Sequence, residues 1–312
     1  MTPVITKTSF PTPHLALRST SADRIRLVSA FAVRQAAEAE HLRKRLERDL
    51  RDLPFPLVRT ELLRTAHAET WAWRYSLALT KPDSRGTGLE AGRVLLSLEQ
   101  GGPNADRLGY VGRHRHGATW NEHHRLYEGG TSTPAHDILL HHGRLAERRF
   151  AEQKVAGDVL RNRVHLPDGR LIEGNRLVRG RVAARIAETL AARRAARGRD
   201  VSRMETGGQP IYAVTGPTRS RATCWSAGMT VLGTAEEGDI DAWATAAYLL
   251  YQGIRHKRGS DATLRVFLVA AGAVLLDEAP VLPHDLDLQC MVLDQATATA
   301  NLTSAQLNTY AH

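Results

Sequence analysis

The stretch "QGIRHKRGSDATLRVFLVAAGAVLL", residues 252–276, decides the fold. Four residues that are or can become cationic, Arg255 to Arg258, come first. Gly259, Ser260 and Asp261 follow, and the rest is nearly all apolar. An apolar run of this length without alternation predicts a buried helix, over 261–277. Ser260 or Asp261 is placed to cap its start. A helix start carries partial positive charge, and Gly259 lets a backbone come close, so an anion is expected there. Arg255, Lys257, Arg258 and Arg265 supply further cations, and Asp261 sets a carboxylate in the same place.

Upstream, "DIDAWATAAYLLYQGI" predicts another mostly buried helix. Downstream, "DEAPVLPH" leads into a last helix from about Asp285 to Ala298. Residues 239–298 are therefore expected to form a helical core. The long segment from Ser21 to Leu53 alternates apolar and charged residues at helical spacing and ends at Pro54. A second helix carries Trp71, Trp73 and Tyr75. "LEAGRVLLSLEQ", 89–100, follows the turn "KPDSRGTG" as a third. Residues 101–135 are read as loops, and Pro134 suits the first turn of a helix running to about 160. "RVHLPDGRLIEGNRL" predicts a hairpin over 163–178 about "PDG". An Arg-laced helix follows, and then hairpin-like pieces over 210–232.

The expected fold is mainly α, a compact helical body with a few short strands or hairpins in mid-chain. Residues 1–20, rich in Pro, Thr and Ser, read as a flexible arm, and 21–312 as one domain. Aromatics make up 5% of the chain, too few for a β-sandwich or barrel. The net charge is +9, carried almost wholly by Arg, because only five of the cations are Lys. Such a surplus either reflects an Arg/Ala-rich composition or suits a polyanion partner. Cys224 and Cys290 stand too far apart in sequence to suggest a metal or disulfide framework. There is no secretory h-region and no run of ~18 apolar residues, so a cytoplasmic protein with no membrane partner is expected.

The layout of a helix, a loop, a second helix that opens with Arg near its first turn and an "AGAVLLDEAPVLPHDLD" connection into a third helix resembles the active-site half of the Fic family over Asp239 to Ala298. That family's signature is H-P-F-x-x-G-N-G-R-x-x-R. Gly259 and Ser260 fall on its Gly-Asn pair and Arg265 on its last Arg. Ile254 stands where the catalytic His belongs, Arg255 at the Pro, Asp261 at the second Gly and Ala262 at the first Arg. The resemblance implies an all-helical fold and transfer of AMP or another phosphate-bearing group to a protein hydroxyl. It implies Mg²⁺ with a nucleotide as cofactor. Arg258, Gly259, Ser260 and Arg265 would be phosphate-binding and His256 the available base. With the usual base replaced, the chain is either a transferase with a degenerate loop or a pseudo-enzyme.

Two alternatives stand beside it. Seven histidines, His114, His116, His123, His124, His136, His141 and His142, fall close together. The adjacent His136 and Asp137, with His141 and His142, resemble the metal-binding HD phosphohydrolases. There a transition metal activates a water against a phosphate. The other alternative is an Arg-rich nucleic-acid-binding protein, for which "VTGPTRSRATCWS", 214–226, offers a loop of hydroxyls and Arg. Asp285 and Asp287 form a D-x-D pair like that of nucleotidyltransferases, and also suit the first turn of a helix.

Overall fold

Twelve of the sixteen residues of the helix Ser260–Leu275 are buried, most of them in the main apolar core. A helix that is apolar on every side is stable only when surrounded, and the rest of the chain surrounds it. The computed structural model describes residues 3–50, 53–80, 92 and 94–310. Its helices are α1 (Ala22–Leu50), α2 (Pro56–Thr80), α3 (Leu98–Gly101), α4 (Pro134–Glu152), α5 (Gly180–Ala195), α6 (Thr218–Thr234), α7 (Ile240–Gln252), α8 (Ser260–Leu275), α9 (Leu286–Val292) and α10 (Gln295–Tyr310). Strands β1 (Ala105–Leu108), β4 (Val159–His165), β5 (Leu171–Val178) and β6 (Ile211–Val214) form one antiparallel sheet in the order β1-β6-β5-β4. β2 (Thr119–Asn121) and β3 (Leu126–Glu128) form a separate hairpin. The chain is mainly α, as its composition predicts. Among the described residues, no helix is long and apolar enough to cross a membrane.

α8 packs against α1, α2 and α7, while α6 lies on α2 and α7. α7 starts where Asp239 accepts from the Ala242 N–H at 2.9 Å. The sheet is covered on both faces. On one side Ala183 and Ala187 of α5 meet Val178, Tyr212 and Val214. On the other, Leu139, Ala146 and Phe150 of α4, with Leu288 and Met291 of α9, meet Leu160, Leu177 and Ala213. The β4–β5 turn is the expected one, with Gly169 at φ +82°, a conformation only glycine adopts freely.

A buried polar network ties sheet to helices. Asn162, at an irregularity of the β4–β5 pairing, donates to Asn175 Oδ1 at 3.0 Å and to the Tyr248 hydroxyl at 2.9 Å. Gln252 accepts from the Asn175 N–H at 3.0 Å and donates to the Cys290 carbonyl at 2.6 Å. These bonds fix the end of α7, and hence the loop before α8, against α9 and the sheet.

Several expectations change. "TRSRATCWSAGMTVLG" is helix α6, not hairpin; only 211–214 of that stretch is strand. The 101–135 stretch holds three short strands. The last helix is two, α9 and α10, separated at Leu293 and Asp294. Asp294 accepts from the Thr297 N–H at 2.9 Å and so caps the second. The helix Pro134–Glu152 stops before 160. The expected turn 81–88 and much of the third helix lie outside the described residues. Within the described part, 92, 94 and 95 are helical, and Ser97 caps α3 by accepting from the Gln100 N–H.

The segment read as a flexible arm packs on the body. Ile5 and Phe10 enter the main core. The Ala16 carbonyl accepts from Arg24 Nε at 2.7 Å, and His14 stacks on His284 at 3.7 Å.

Candidate functional site

The start of α8 opens into a cavity of about 330 Å³. Its walls come from the α7–α8 loop (Ile254, His256 to Asp261), from β1 and the turn after it (Asp106, Arg107, Arg113, His114), from the first turn of α9 (Asp287, Leu288), and from Leu15 and Arg18. The segment before α8 turns at Gly259, whose φ is +86°, and no side chain caps the helix. The first-turn N–H groups thus have no capping acceptor.

The cavity is rich in cations. Arg18, Arg113, Lys257 and Arg258 all line it. Arg113 pairs with the buried Glu205 at 2.7 Å. Arg258 makes no ion pair or side-chain hydrogen bond among the described residues. Burial, then Arg113, Arg24 and Arg258, lower the pKa of Arg18, so these guanidiniums feel one another. His114 is 6% exposed and its buried Nδ1 has no partner. Burial, reinforced by Arg113 and Arg18, pushes its pKa down to about 3, so its ring is neutral at pH 7.

Beneath the cations lie carboxylates. Tyr251 donates to Asp261 Oδ1 at 2.8 Å, and Arg265 Nε donates to the same oxygen at 2.9 Å. Burial, then the Asp261 charge, pushes Asp287 up to about 7, although Arg265 opposes this. Burial also raises Asp106, against the pull of Arg258 and Lys257. Asp106 is nonetheless exposed to water, because it sits deep in the molecule but on the cavity surface. The site therefore combines clustered cations with carboxyl groups, of which Asp287, at about 7, suits proton exchange near neutral pH.

Of the residues picked out in the sequence, His256, Arg258, Gly259 and Ser260 line this cavity together. The His256 ring stacks on Trp71 at 3.9 Å. Burial and then Arg255 lower its pKa, so it too is neutral at pH 7. Ser260 Oγ donates to the His256 carbonyl at 3.3 Å. Arg265 lies behind the wall rather than on it. Its remaining nitrogens donate to the carbonyls of Pro283 at 2.9 Å and His284 at 3.2 Å. Burial alone would lower its pKa, but Asp261, Tyr251 and Asp287 outweigh that and raise it. Ile254, at the position of the Fic base, also lines the cavity.

The histidine cluster does not assemble as a metal site. His136 is buried and shares a hydrogen bond with Ser132 Oγ at 2.9 Å, and Asp137 bonds the same hydroxyl. His142 Nε2 lies 2.9 Å from Asp285 Oδ2, just ahead of α9, while His141 is exposed. Among the described residues, no three His, Cys, Asp or Glu side chains gather as ligands for one ion. Asp137 and His141 do stand one turn apart on α4, but their neighbours on other elements do not complete a ligand set.

Asp106, Tyr251, Arg18 and Arg113 are cavity residues that sequence motifs do not single out, whereas Lys257 belongs to the basic run before α8. Asp287 carries a local signal as half of the D-x-D pair, while its partner Asp285 instead holds His142. No protein-family model matches the chain, and no curated protein matches it significantly.

Proposed function

We propose that the protein binds a phosphate-bearing small molecule, a nucleotide by class, in the cavity at the start of α8. The carrying observation is the gathering of Arg18, Arg113, Lys257 and Arg258 around an uncapped helix N-terminus. Guanidinium groups and free backbone N–H groups both suit phosphate oxygens. Mg²⁺ carried on nucleotide phosphates needs only one or two protein carboxylates, and Asp106 and Asp287 are the cavity carboxylates not already bonded to Arg265.

The reading extends to phosphoryl or nucleotidyl transfer. In the Fic-like layout the base position is occupied by Ile254, so proton transfer falls to Asp287 or His256. Asp287, with its pKa near 7, suits both giving and taking a proton. His256 would first have to leave its stack on Trp71.

The test is a thermal-shift screen with mono-, di- and triphosphate nucleosides, with and without Mg²⁺, on the wild type and Arg258→Ala. A ligand at 100 times its Kd should stabilise the wild type by about 2.7 kcal/mol, a shift of roughly 5 °C. Arg258→Ala should lower affinity about tenfold or more without moving the ligand-free melting temperature. A panel that shifts neither protein, or both equally, overturns the reading.

A further inference from the structure

A second cavity, of about 620 Å³, lies on the other side of Lys257. It is lined by Arg193, Arg194, Arg197 and Arg199 from the end of α5 and just beyond, by Lys257, and by the apolar Leu96, Leu190 and Met204. Among the described residues, no acidic side chain lines it. Arg194 donates to the Asp200 carbonyl at 3.0 Å. The side chains of Arg193, Arg197 and Arg199 make no hydrogen bond or ion pair among the described residues. Like charges gathered around one cavity repel one another.

Lys257 lines both cavities and stands between them. Its ammonium donates to the carbonyls of Gly102 and Pro103, each at 2.9 Å, which fixes its position there. Burial and then Arg193, opposed by Asp106 but reinforced by Arg197 and Arg258, bring its pKa down to about 8. Cations from both sides thus act on one nitrogen, and a positive path runs from Arg258 past Lys257 to Arg197.

We infer that this path is the track of a single-stranded nucleic acid whose terminal phosphate enters the cavity at α8 and whose next phosphates lie on Arg193 and Arg197. The ligand of the proposed site is then the end of a strand rather than a free mononucleotide, and the inference rests on that proposal. A cationic groove that follows the backbone, with apolar faces for bases, is the general pattern of single-strand binding. Inorganic polyphosphate would use the arginines but not Leu96, Leu190 and Met204. A duplex is wider than one strand and would not set one strand end in the cavity at α8.

The experiment is fluorescence anisotropy with a length series of 5′- and 3′-phosphorylated oligothymidylates, from one to about twelve nucleotides, between about 50 and 200 mM salt. It uses the wild type, the double variant Arg193→Ser/Arg197→Ser, and Arg258→Ala. Affinity should rise about tenfold or more from one to about four nucleotides. The double variant should lose that gain, flatten the dependence of log Kd on log salt by about two phosphates' worth, and bind the mononucleotide as the wild type does. Arg258→Ala should weaken binding at every length. Equal affinity at every length, or an undisturbed double variant, overturns the inference and leaves the mononucleotide site standing. Loss of all binding in the wild type overturns both. Tighter binding of duplex, or of polyphosphate of matched charge, overturns the assignment to a single strand.

Discussion

Arg265 is 1% exposed, yet it carries a full charge in the middle of an apolar helix. A buried cation is tolerated only when its donors are filled, and the three acceptors Asp261, Pro283 and His284 fill them. One effect is to hold the Asp261 carboxylate at the start of α8. That resolves the conflict visible in the sequence, where Asp261 occupies the place expected for an anion. Its charge is neutralised by Arg265 and bonded by the Tyr251 hydroxyl. Burial, and then the charge of the same Asp261, raise the pKa of Asp287 to about 7. The sign follows directly. The folded state holds this proton where the unfolded chain has lost it, so stability falls as pH rises from about 4 to 7 and then levels. Asp287→Asn removes that loss. The variant should therefore gain on the wild type across this window in urea melts at about pH 4, 5.5 and 8. Its affinity for a nucleotide without Mg²⁺ should also exceed the wild type's at about pH 8, by up to about tenfold, and not at about pH 5, because without a cation between them the ionised carboxylate repels phosphate. A constant difference between the two proteins at all three values would contradict this.

At the scale of elements, some parts of the chain declare themselves and others depend on distant partners. α7 and α8 are legible because their residues are apolar on almost every side, and the β4–β5 hairpin because only a turn accommodates "PDG" between alternating strands. α6 is not. Its Gly228 and Gly233, its threonines and its lack of an apolar stripe all resemble a loop. In the structure these glycines are points of close approach. A Cβ on Gly233 would stand 2.1 Å from Thr60 Oγ1 and 2.9 Å from the Thr60 backbone nitrogen, and one on Gly228 would stand 3.2 Å from the Ala246 carbonyl oxygen. The helix forms because α2 and α7 pack directly on its backbone, which a single-segment reading does not contain. Gly233→Ala raises intrinsic helix propensity but should still destabilise the protein by roughly 1–3 kcal/mol, through overpacking against Thr60. Gly157→Ala, where a Cβ meets nothing, should stay within about 0.5 kcal/mol. Denaturant melts of the two variants decide the matter, and equal midpoints would remove the close-approach argument.

At the scale of the whole molecule, the cavity is assembled from parts of the chain that lie far apart, Arg18 near one end and Asp287 near the other. This is why the sequence shows only its centre. Residues 256–260 carry a local pattern of cations, glycine and helix start, whereas Asp106 and Arg113 sit in a stretch that reads as loop. Arg18 sits at the end of a segment whose prolines and threonines suggest no structure at all. That segment is held by Phe10, which is 2% exposed in the main core, and by the Leu282 N–H donating to the Ser9 carbonyl at 3.4 Å. Leu15 and Arg18 reach the cavity only because this anchor sets the path of the chain. Two variants separate the roles. Phe10→Ala removes a large buried ring and should cost about 3–5 kcal/mol, a fall in melting temperature of roughly 5–10 °C. It should weaken nucleotide binding as well, because the segment loses its seat. Arg18→Ala should leave the melting temperature unchanged and weaken binding alone, by about fivefold or more, because it removes a cation and no core contact. If Phe10→Ala loses stability but binds nucleotide as the wild type does, the N-terminal segment stabilises the body without shaping the cavity, and Arg18 is not part of the site.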